Sequence, residues 1–396
     1  MGNDIQTSTI YCGDNLDILR GFPDNSVDLI YADPPFFSNR HYEIIWNDGA
    51  EIRAFEDRWQ GGINQYLKWM RDRLMECHRV LKDTGSMYLH CDWHANAYLR
   101  IIMDKLFGYN NLQNEIAWCY KGGGITKNQF RRKHDTIYYY TKSTNHVFNP
   151  PIITRGFDKY YKDGVKVKSA GYVIEDWWSD IPARGTATNA REWIGYPTQK
   201  PEALLKRVIE ASSNKGDIVL DPFCGCGTTI AVAQQLMRKW VGVDVSPTAC
   251  RMMARRLEII GATANIENMP ESIDHLKSIN PFEFQSWIIH QITGKPSNKK
   301  TGDMGIDGYS FNGKPIQVKQ SDNIGRNVID NFETAIRRAG YYEGIIFAFS
   351  FVKGAYEEVA RASLHDNLNI TLTKVEDLLN NSEMINPVNQ GQLIKG

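Results

Sequence analysis

Four consecutive residues, Asp33, Pro34, Pro35 and Phe36, close a short apolar run with an acid, two imino acids and an aromatic ring. Asp33 is an acceptor, and the prolines fix φ and carry no N–H, so the turn offers carbonyl oxygens with no competing donor. Such a turn suits a guest that brings only N–H donors. The exocyclic amine of adenine or cytosine is one. Its lone pair is delocalised into the ring, and two acceptors holding its hydrogens would draw that pair back toward nitrogen. Phe36 would stack on the base, which has to leave the duplex to reach the turn.

A second chemical stretch is Asp221-Pro-Phe223-Cys-Gly225-Cys-Gly227-Thr-Thr229. It follows an apolar strand expected at 218–220 and opens a helix expected to run to about residue 237. A strand at 240–243 then ends in Asp244. Strand, glycine turn, helix, strand and acid is a nucleotide-binding order, because glycines let the backbone approach a ligand and the acid can hold ribose hydroxyls. Only two of the three glycines of a dinucleotide site are present, with Thr229 following, which points to an adenosine cofactor without a pyrophosphate.

The elements that must carry these turns read as an α/β chain. A strand from residue 9 ends near Asp14, a short helix covers 15–20, and a strand covers 27–32. Asp14 and Asp33 then both stand just past a strand's carboxyl end, where open α/β sheets bind ligands. Residues 37–62 are polar and rich in Trp and Gly and read as a mobile loop or lid. Apolar positions 63, 67, 70, 74, 77 and 81 recur at helical spacing, with Gly85 as the stop. Strands at 86–91, 115–120 and 136–141 and a helix at 95–107 complete a doubly wound sheet. The pattern is lost over 142–195, and helices follow at 202–212 and 246–260.

The bulk numbers fit a globular chain of more than one domain: 396 residues, 42% hydrophobic and 23% charged. No signal peptide and no apolar run of membrane-spanning length is read, so a cytoplasmic protein with no membrane partner is expected. Seven scattered cysteines suit reduced thiols. Cys91 with His94, and Cys224 with Cys226, each offer half of a zinc ligand set with no second half at ligand spacing. Net charge is zero, yet residues 121–168 hold eleven Lys and Arg against three Asp, interleaved with Phe130, Tyr138, Tyr139, Tyr140, Phe157, Tyr160 and Tyr161. Phosphate contacts with base stacking would need such a stripe, although composition alone fits a solvated loop equally well.

Taken in order, Asp33-Pro-Pro-Phe36, a basic region, Pro197-Thr198-Gln199-Lys200-Pro201 and the Asp221 turn resemble the beta group of DNA amino-methyltransferases, in which the catalytic half precedes the cofactor half. The resemblance covers residues 1–260 and implies a permuted Rossmann-like sheet binding S-adenosyl-L-methionine. It implies that Asp221, Phe223, Gly225 and Gly227 line the cofactor and that Asp244 takes the ribose. Asp14 would lie near the cofactor's adenine, Thr198 and Lys200 near its methionine end, and 142–195 would recognise the target in double-stranded DNA. Adenine N6 is favoured over cytosine N4. Methyl transfer to RNA or to a protein amide is the alternative, and the oligomeric state is open, a homodimer included.

A polar linker is expected over 261–280, followed by a smaller α/β domain at 281–396. It begins with a helix at 281–291 and continues through Asp307, the turn signal Asn312-Gly313 and Gln317-Val318-Lys319. An acid on one strand and a polar residue, any residue and lysine on the next resemble the Mrr-like branch of restriction endonucleases. That resemblance implies Mg²⁺ held by Asp307, with Glu283 and Gln317 as further ligands and Lys319 beside the attacking water. Gln317 stands where most such nucleases have a carboxylate, and a neutral amide binds Mg²⁺ more weakly. A two-residue turn would put Gln317 and Lys319 on the face opposite Asp307. A longer turn or bulge, the expectation here, would pair 307 with 319 and gather all three. The alternative is a catalytically dead DNA-binding module.

Overall fold

The structure is a computed structural model. It describes residues 5–38, 41–45, 51–56, 62–121, 126–153, 159–162, 165–168, 172–183, 192, 198–292, 294–297 and 305–380, with the backbone alone in the strands within 41–56 and 152–172. The chain divides into two compact units, residues 1–42 with 55–267 and residues 43–54 with 268–396.

In the first unit nine strands form one sheet. Their spatial order is Trp177–Trp178, Leu112–Cys119, His134–Thr141, Leu81–Cys91, Val27–Ala32, Ile218–Asp221, Lys239–Asp244, Thr9–Cys12 and Asn265–Glu267. All neighbours are parallel except His134–Thr141, which runs antiparallel to the strands on both sides. The central strands are apolar on both faces, as a sheet covered by helices on each side requires. Leu29, Ile30, Met87, Leu89, Val219, Leu220, Val241 and Val243 are all fully buried.

The chain enters this sheet in a permuted order. Val27–Ala32 lies against Ile218–Asp221, with Leu29 opposite Val219. Four strands in a row therefore deliver Asp33, Asp221, Asp244 and Asp14 to one edge, although Asp14 and Asp33 come from one end of this unit's sequence and Asp221 and Asp244 from the other. The helices Asn15–Arg20, Glu202–Ser212 and Pro281–Gln291 have the bounds that the sequence reading gave them.

Three expectations change. The helix Gly62–Val80 ends before Gly85, and the strand Leu81–Cys91 starts at once. Gly85 lies inside that strand, where a Cβ would come within 2.8 Å of Leu81 Cγ and 2.9 Å of the Lys82 carbonyl. The stretch read as an irregular lid contains a two-stranded sheet, His41–Ile45 with Glu51–Glu56, and its other residues between 39 and 61 lie outside those described. The connector expected over 261–280 holds the edge strand Asn265–Glu267 and the helix Ile273–Ser278, the latter capped by the Ser272 hydroxyl.

The second unit has a five-stranded sheet in the order Lys295–Pro296, Gly308–Tyr309, Pro315–Lys319, Glu343–Ala348 and Asn369–Lys374. The first three strands are antiparallel and the last three parallel. Helices Arg326–Arg338 and Lys353–Asp366 supply the connections between the parallel strands. Their apolar residues Ile329, Phe332, Ile336, Ala355 and Ala362 pack with Ile346 and Ile370. Phe284, Trp287 and Ile288 of the helix Pro281–Gln291 pack with Ile316, Phe347 and Phe349 in a separate cluster. Among the described residues no helix is long and apolar enough to cross a membrane.

Candidate active site

Asp33 follows the strand Val27–Ala32 at the edge where the glycine turn and Asp14 also lie. Its Oδ2 accepts from Lys200 Nζ at 2.5 Å. Its Oδ1 is buried and, among the described residues, has no hydrogen-bond partner. A buried acceptor without a donor is costly, so this oxygen is suited to an incoming N–H. The Phe36 ring lies 5.6 Å from the His90 ring and 5.1 Å from Lys200 Nζ, centroid distances that keep it beside the same acid. Lys200 also donates weakly to the Thr198 carbonyl at 3.4 Å. The lysine expected near the cofactor's methionine end is thus fixed on Asp33.

The two proline carbonyls are not equivalent. The Tyr66 hydroxyl donates to Pro35 O at 2.8 Å, which anchors the turn to the helix Gly62–Val80. Phe37, next in the chain, has φ +60° and packs on the Tyr66 ring at 5.6 Å. A left-handed phenylalanine is a strained residue, held by its surroundings at the end of the clamp.

The glycine turn is shaped by its own acids. Asp221 accepts the Phe223 N–H at 3.0 Å and the Thr229 hydroxyl at 2.5 Å, one on each oxygen. Burial pushes its carboxyl up to about 7 against those two donors. Asp244 accepts the Gly225 and Ser246 amides at 2.8 and 2.9 Å, and burial pushes its carboxyl up to about 6. Gly225 and Gly227 have φ +53° and +78°, in the left-handed region that favours glycine. The remaining lone pairs of Asp244 accept only, which fits the hydroxyls of a ribose.

Asp14 caps the helix Asn15–Arg20 through the Leu16 N–H and receives both of its other contacts from Arg73 Nη2, at 2.7 and 2.6 Å. Arg73 is 4% exposed, stacks on Trp69 at 3.9 Å and gives its Nε to Asn15 Oδ1. Asn15 in turn donates to Pro222 O at 2.7 Å, so one buried arginine ties the Asp14 end to the glycine turn. Trp69 and Phe223 lie 5.8 Å apart, edge-tilted.

His90, Asp135, Tyr66 and Arg73 were not singled out by the sequence reading. His90 is fully buried in the strand Leu81–Cys91. Its Nδ1 is 2.7 Å from the Tyr31 hydroxyl and 3.9 Å from Asp33 Oδ1, and its Nε2 is 3.2 Å from Asp135 Oδ2. The Tyr120 hydroxyl donates to Asp135 Oδ1. Burial alone would raise the Asp135 carboxyl, but His90, Lys200 and Tyr120 outweigh it and hold it below the usual range. A histidine inside the otherwise apolar run 87–91 was the sequence signal available for His90.

His94 pairs with Asp92 at 2.7 Å, while Cys91 Sγ points at the Thr136 carbonyl. Of the basic stripe, Arg132 lies over the Trp93 ring at 3.8 Å and Phe130 is 98% exposed. Arg155, Phe157, Asp158 and Asp163 lie outside the described residues, as do most of 184–197.

In the second unit Gly308 pairs with Ile316 and Tyr309 with Pro315, and Ser310 N–H donates to Lys314 O. The loop is therefore three residues, 311–313, with Gly313 at φ +79°. The longer turn is present, but its extra residue is Phe311, and the expected pairing of 307 with 319 does not occur. The last loop position needs a positive φ, which places the glycine there and sets the register. One residue beyond the Gly308–Ile316 pair, the Asp307 amide donates to the Ile316 carbonyl at 2.7 Å, and Asp307 Oδ2 accepts the Val318 N–H at 2.7 Å. Gln317 is 3% exposed and donates to Gly305 O, and its buried Oε1 has no hydrogen-bond partner among the described residues. Gln285 Nε2 donates to Asp307 O, which brings the helix bearing Glu283 alongside. Among the described residues the acids that converge to metal-binding spacing are Asp330, Glu333 and Glu358. Arg361 pairs with both glutamates and Arg326 with Glu358, so that group is an ion-pair network between two helices.

Comparison with known proteins places the first unit. The DNA adenine methyltransferase YhdJ of Escherichia coli strain K12 is 34% identical over 264 residues, covering 64% of this chain and 84% of that protein. The type II methyltransferase M.HpaI of Haemophilus parainfluenzae is 33% identical over 251 residues, 63% of this chain and 74% of that one. Among solved structures, the cytosine-N4-specific PvuII DNA methyltransferase is 19% identical with a TM-score of 0.47, covering 64% of this chain and 87% of that one. The profile of a family described as DNA methylase, of the N6/N4 type, matches residues 27–255. The chain belongs to that DNA methylase family.

Proposed function

We propose that the first unit transfers the methyl group of S-adenosyl-L-methionine to the N6 amine of an adenine flipped out of double-stranded DNA. The observation that carries this reading is Asp33 Oδ1, a buried acceptor without a donor, on a carboxylate whose other oxygen Lys200 already holds. The target amine would donate to Oδ1, and Phe36 would stack on its ring. With Pro35 O engaged by Tyr66, the carbonyl of Pro34 is the one left to take the second amine hydrogen. Bound S-adenosyl-L-methionine supplies an electrophilic methyl. The glycine turn from Asp221 to Gly227 with Asp244 would hold its adenosine, Asp14 would lie near its adenine, and Thr198 near its methionine end. Adenine is preferred because the E. coli relative is named an adenine methyltransferase. Labelled-methyl transfer to DNA tests the site: Asp33→Ala should lose it by about a hundredfold or more, and full activity would falsify the clamp.

For residues 281–396 we propose a Mg²⁺-dependent DNA endonuclease, so that one chain marks and cuts. The orphaned Gln317 oxygen beside the Asp307 segment supports a cation site made by Asp307, Gln317 and Glu283, with Lys319 as the cation on the water side. A bound Mg²⁺ would supply charge neutralisation at the phosphate. A second reading, an inactive DNA-binding module, is favoured by the acids that converge elsewhere, in the Arg361 network. Incubating unmethylated DNA with Mg²⁺ separates the two readings. Cleavage that Asp307→Ala and Lys319→Ala abolish supports the nuclease, and no cleavage by the unsubstituted chain supports the module.

A further inference from the structure

The methylated amine must lose a proton, and Asp33 is the first acceptor it meets. Lys200 Nζ is ion-paired with the other oxygen of that carboxylate at 2.5 Å, so a proton that remained on Asp33 would leave the lysine without its partner. One group behind it is better placed. His90 Nδ1 lies 3.9 Å from Asp33 Oδ1, the oxygen that faces the amine in the reading above. Asp135 takes the Tyr120 hydroxyl on Oδ1 and lies 3.2 Å from His90 Nε2 through Oδ2, so as an acceptor it favours the ring's hydrogen on Nε2 and leaves Nδ1 to accept from the Tyr31 hydroxyl.

We propose that the His90–Asp135 pair takes the proton released by the amine, with Asp33 as the first acceptor. The step rests on the methyltransferase reading. The amine nitrogen forms a bond to the methyl carbon while the carbon–sulfur bond breaks and its electron pair stays on sulfur. An N–H hydrogen of the amine passes to Asp33 Oδ1 and on to His90 Nδ1. The imidazolium then stands between two carboxylates, with the Asp33–Lys200 pair restored. Tyr31 turns its hydroxyl away as Nδ1 is protonated. The other groups around the ring are Phe36 and Trp118, both uncharged, and Tyr120 on the far side of Asp135. His90 is a positioning and relay residue here, because it reaches the amine only through Asp33.

Single-turnover methyl transfer to DNA between about pH 6 and pH 9 tests this. Asp135→Asn and His90→Gln should slow transfer by about a hundredfold at neutral pH, the scale of a lost proton acceptor. Their rates should climb toward that of the unsubstituted enzyme as pH rises, because solvent base takes over. Cofactor affinity should hardly move. Variant profiles parallel to that of the unsubstituted enzyme would overturn the relay. If those variants keep full rate while Asp33→Ala is dead, only the relay fails. If Asp33→Ala is also fully active, the clamp reading fails with it. The proton inventory of the unsubstituted enzyme in mixed light and heavy water needs no folded variant: a curved inventory supports two protons in flight, and a linear one overturns the proposal.

Discussion

Asp33 could be read from the sequence because its neighbours Pro34, Pro35 and Phe36 restrict what the acid can do. The groups that complete it are far away in the chain: Lys200 is 167 positions on, and His90 reaches it from the next strand. Periodicity reports which face of an element is buried, not which buried polar group meets which, so it could not bring Tyr66, Arg73, His90 and Asp135 to this site. Two predictions belong at this scale. Tyr66→Phe removes the donor to Pro35 O and should lower the methyl-transfer rate severalfold, about the worth of one hydrogen bond, with the fold intact by circular dichroism. The second concerns Asp244, whose folded carboxyl titrates near 6, above its ordinary value. A raised acid makes the fold less stable as pH rises from its unfolded value through about 6, since the buried group must then ionise. Cofactor binding runs the opposite way, because the ionised form accepts ribose hydroxyls better. Calorimetric affinity for S-adenosyl-L-methionine should therefore weaken as pH falls below about 6, and Asp244→Asn should flatten that dependence.

At the scale of elements, the helices 15–20, 202–212 and 281–291 were legible because each has a clear start signal and an apolar stripe. Gly85 misled because glycine punctuates helices and tight strand entries alike, and only the contact with Leu81 tells them apart. The 311–313 loop shows the same limit: Asn312-Gly313 marked the hairpin, but the positive φ of Gly313 decided which residue was added. The glycine turn is the element on which cofactor binding depends. Gly227 has φ +78°, and a Cβ there would come within 2.8 Å of Met253 Cγ. Gly227→Ala should cost about 1–3 kcal/mol of stability by thermal or denaturant unfolding and weaken cofactor binding at least tenfold. An alanine variant with unchanged affinity would mean that the turn does not approach the ligand.

At the scale of the whole chain, the order of motifs carried most of the information. Asp33 before Asp221 is the reverse of their order along a simple nucleotide-binding sheet, and the strand order Val27–Ala32, Ile218–Asp221, Lys239–Asp244, Thr9–Cys12 shows why both arrangements give one edge. The family match stops at residue 255, so the second unit stands on its own residues. If it is a nuclease, cleavage should require Mg²⁺, occur on unmethylated DNA and be lost on DNA that the first unit has already methylated. The measurement that tests the central claim most directly is mass spectrometry of the nucleosides in DNA treated with this enzyme and S-adenosyl-L-methionine. N6-methyldeoxyadenosine should appear with the unsubstituted chain and vanish with Asp33→Ala. Methyl groups found only on carbon, or none at all with bound cofactor, would contradict it.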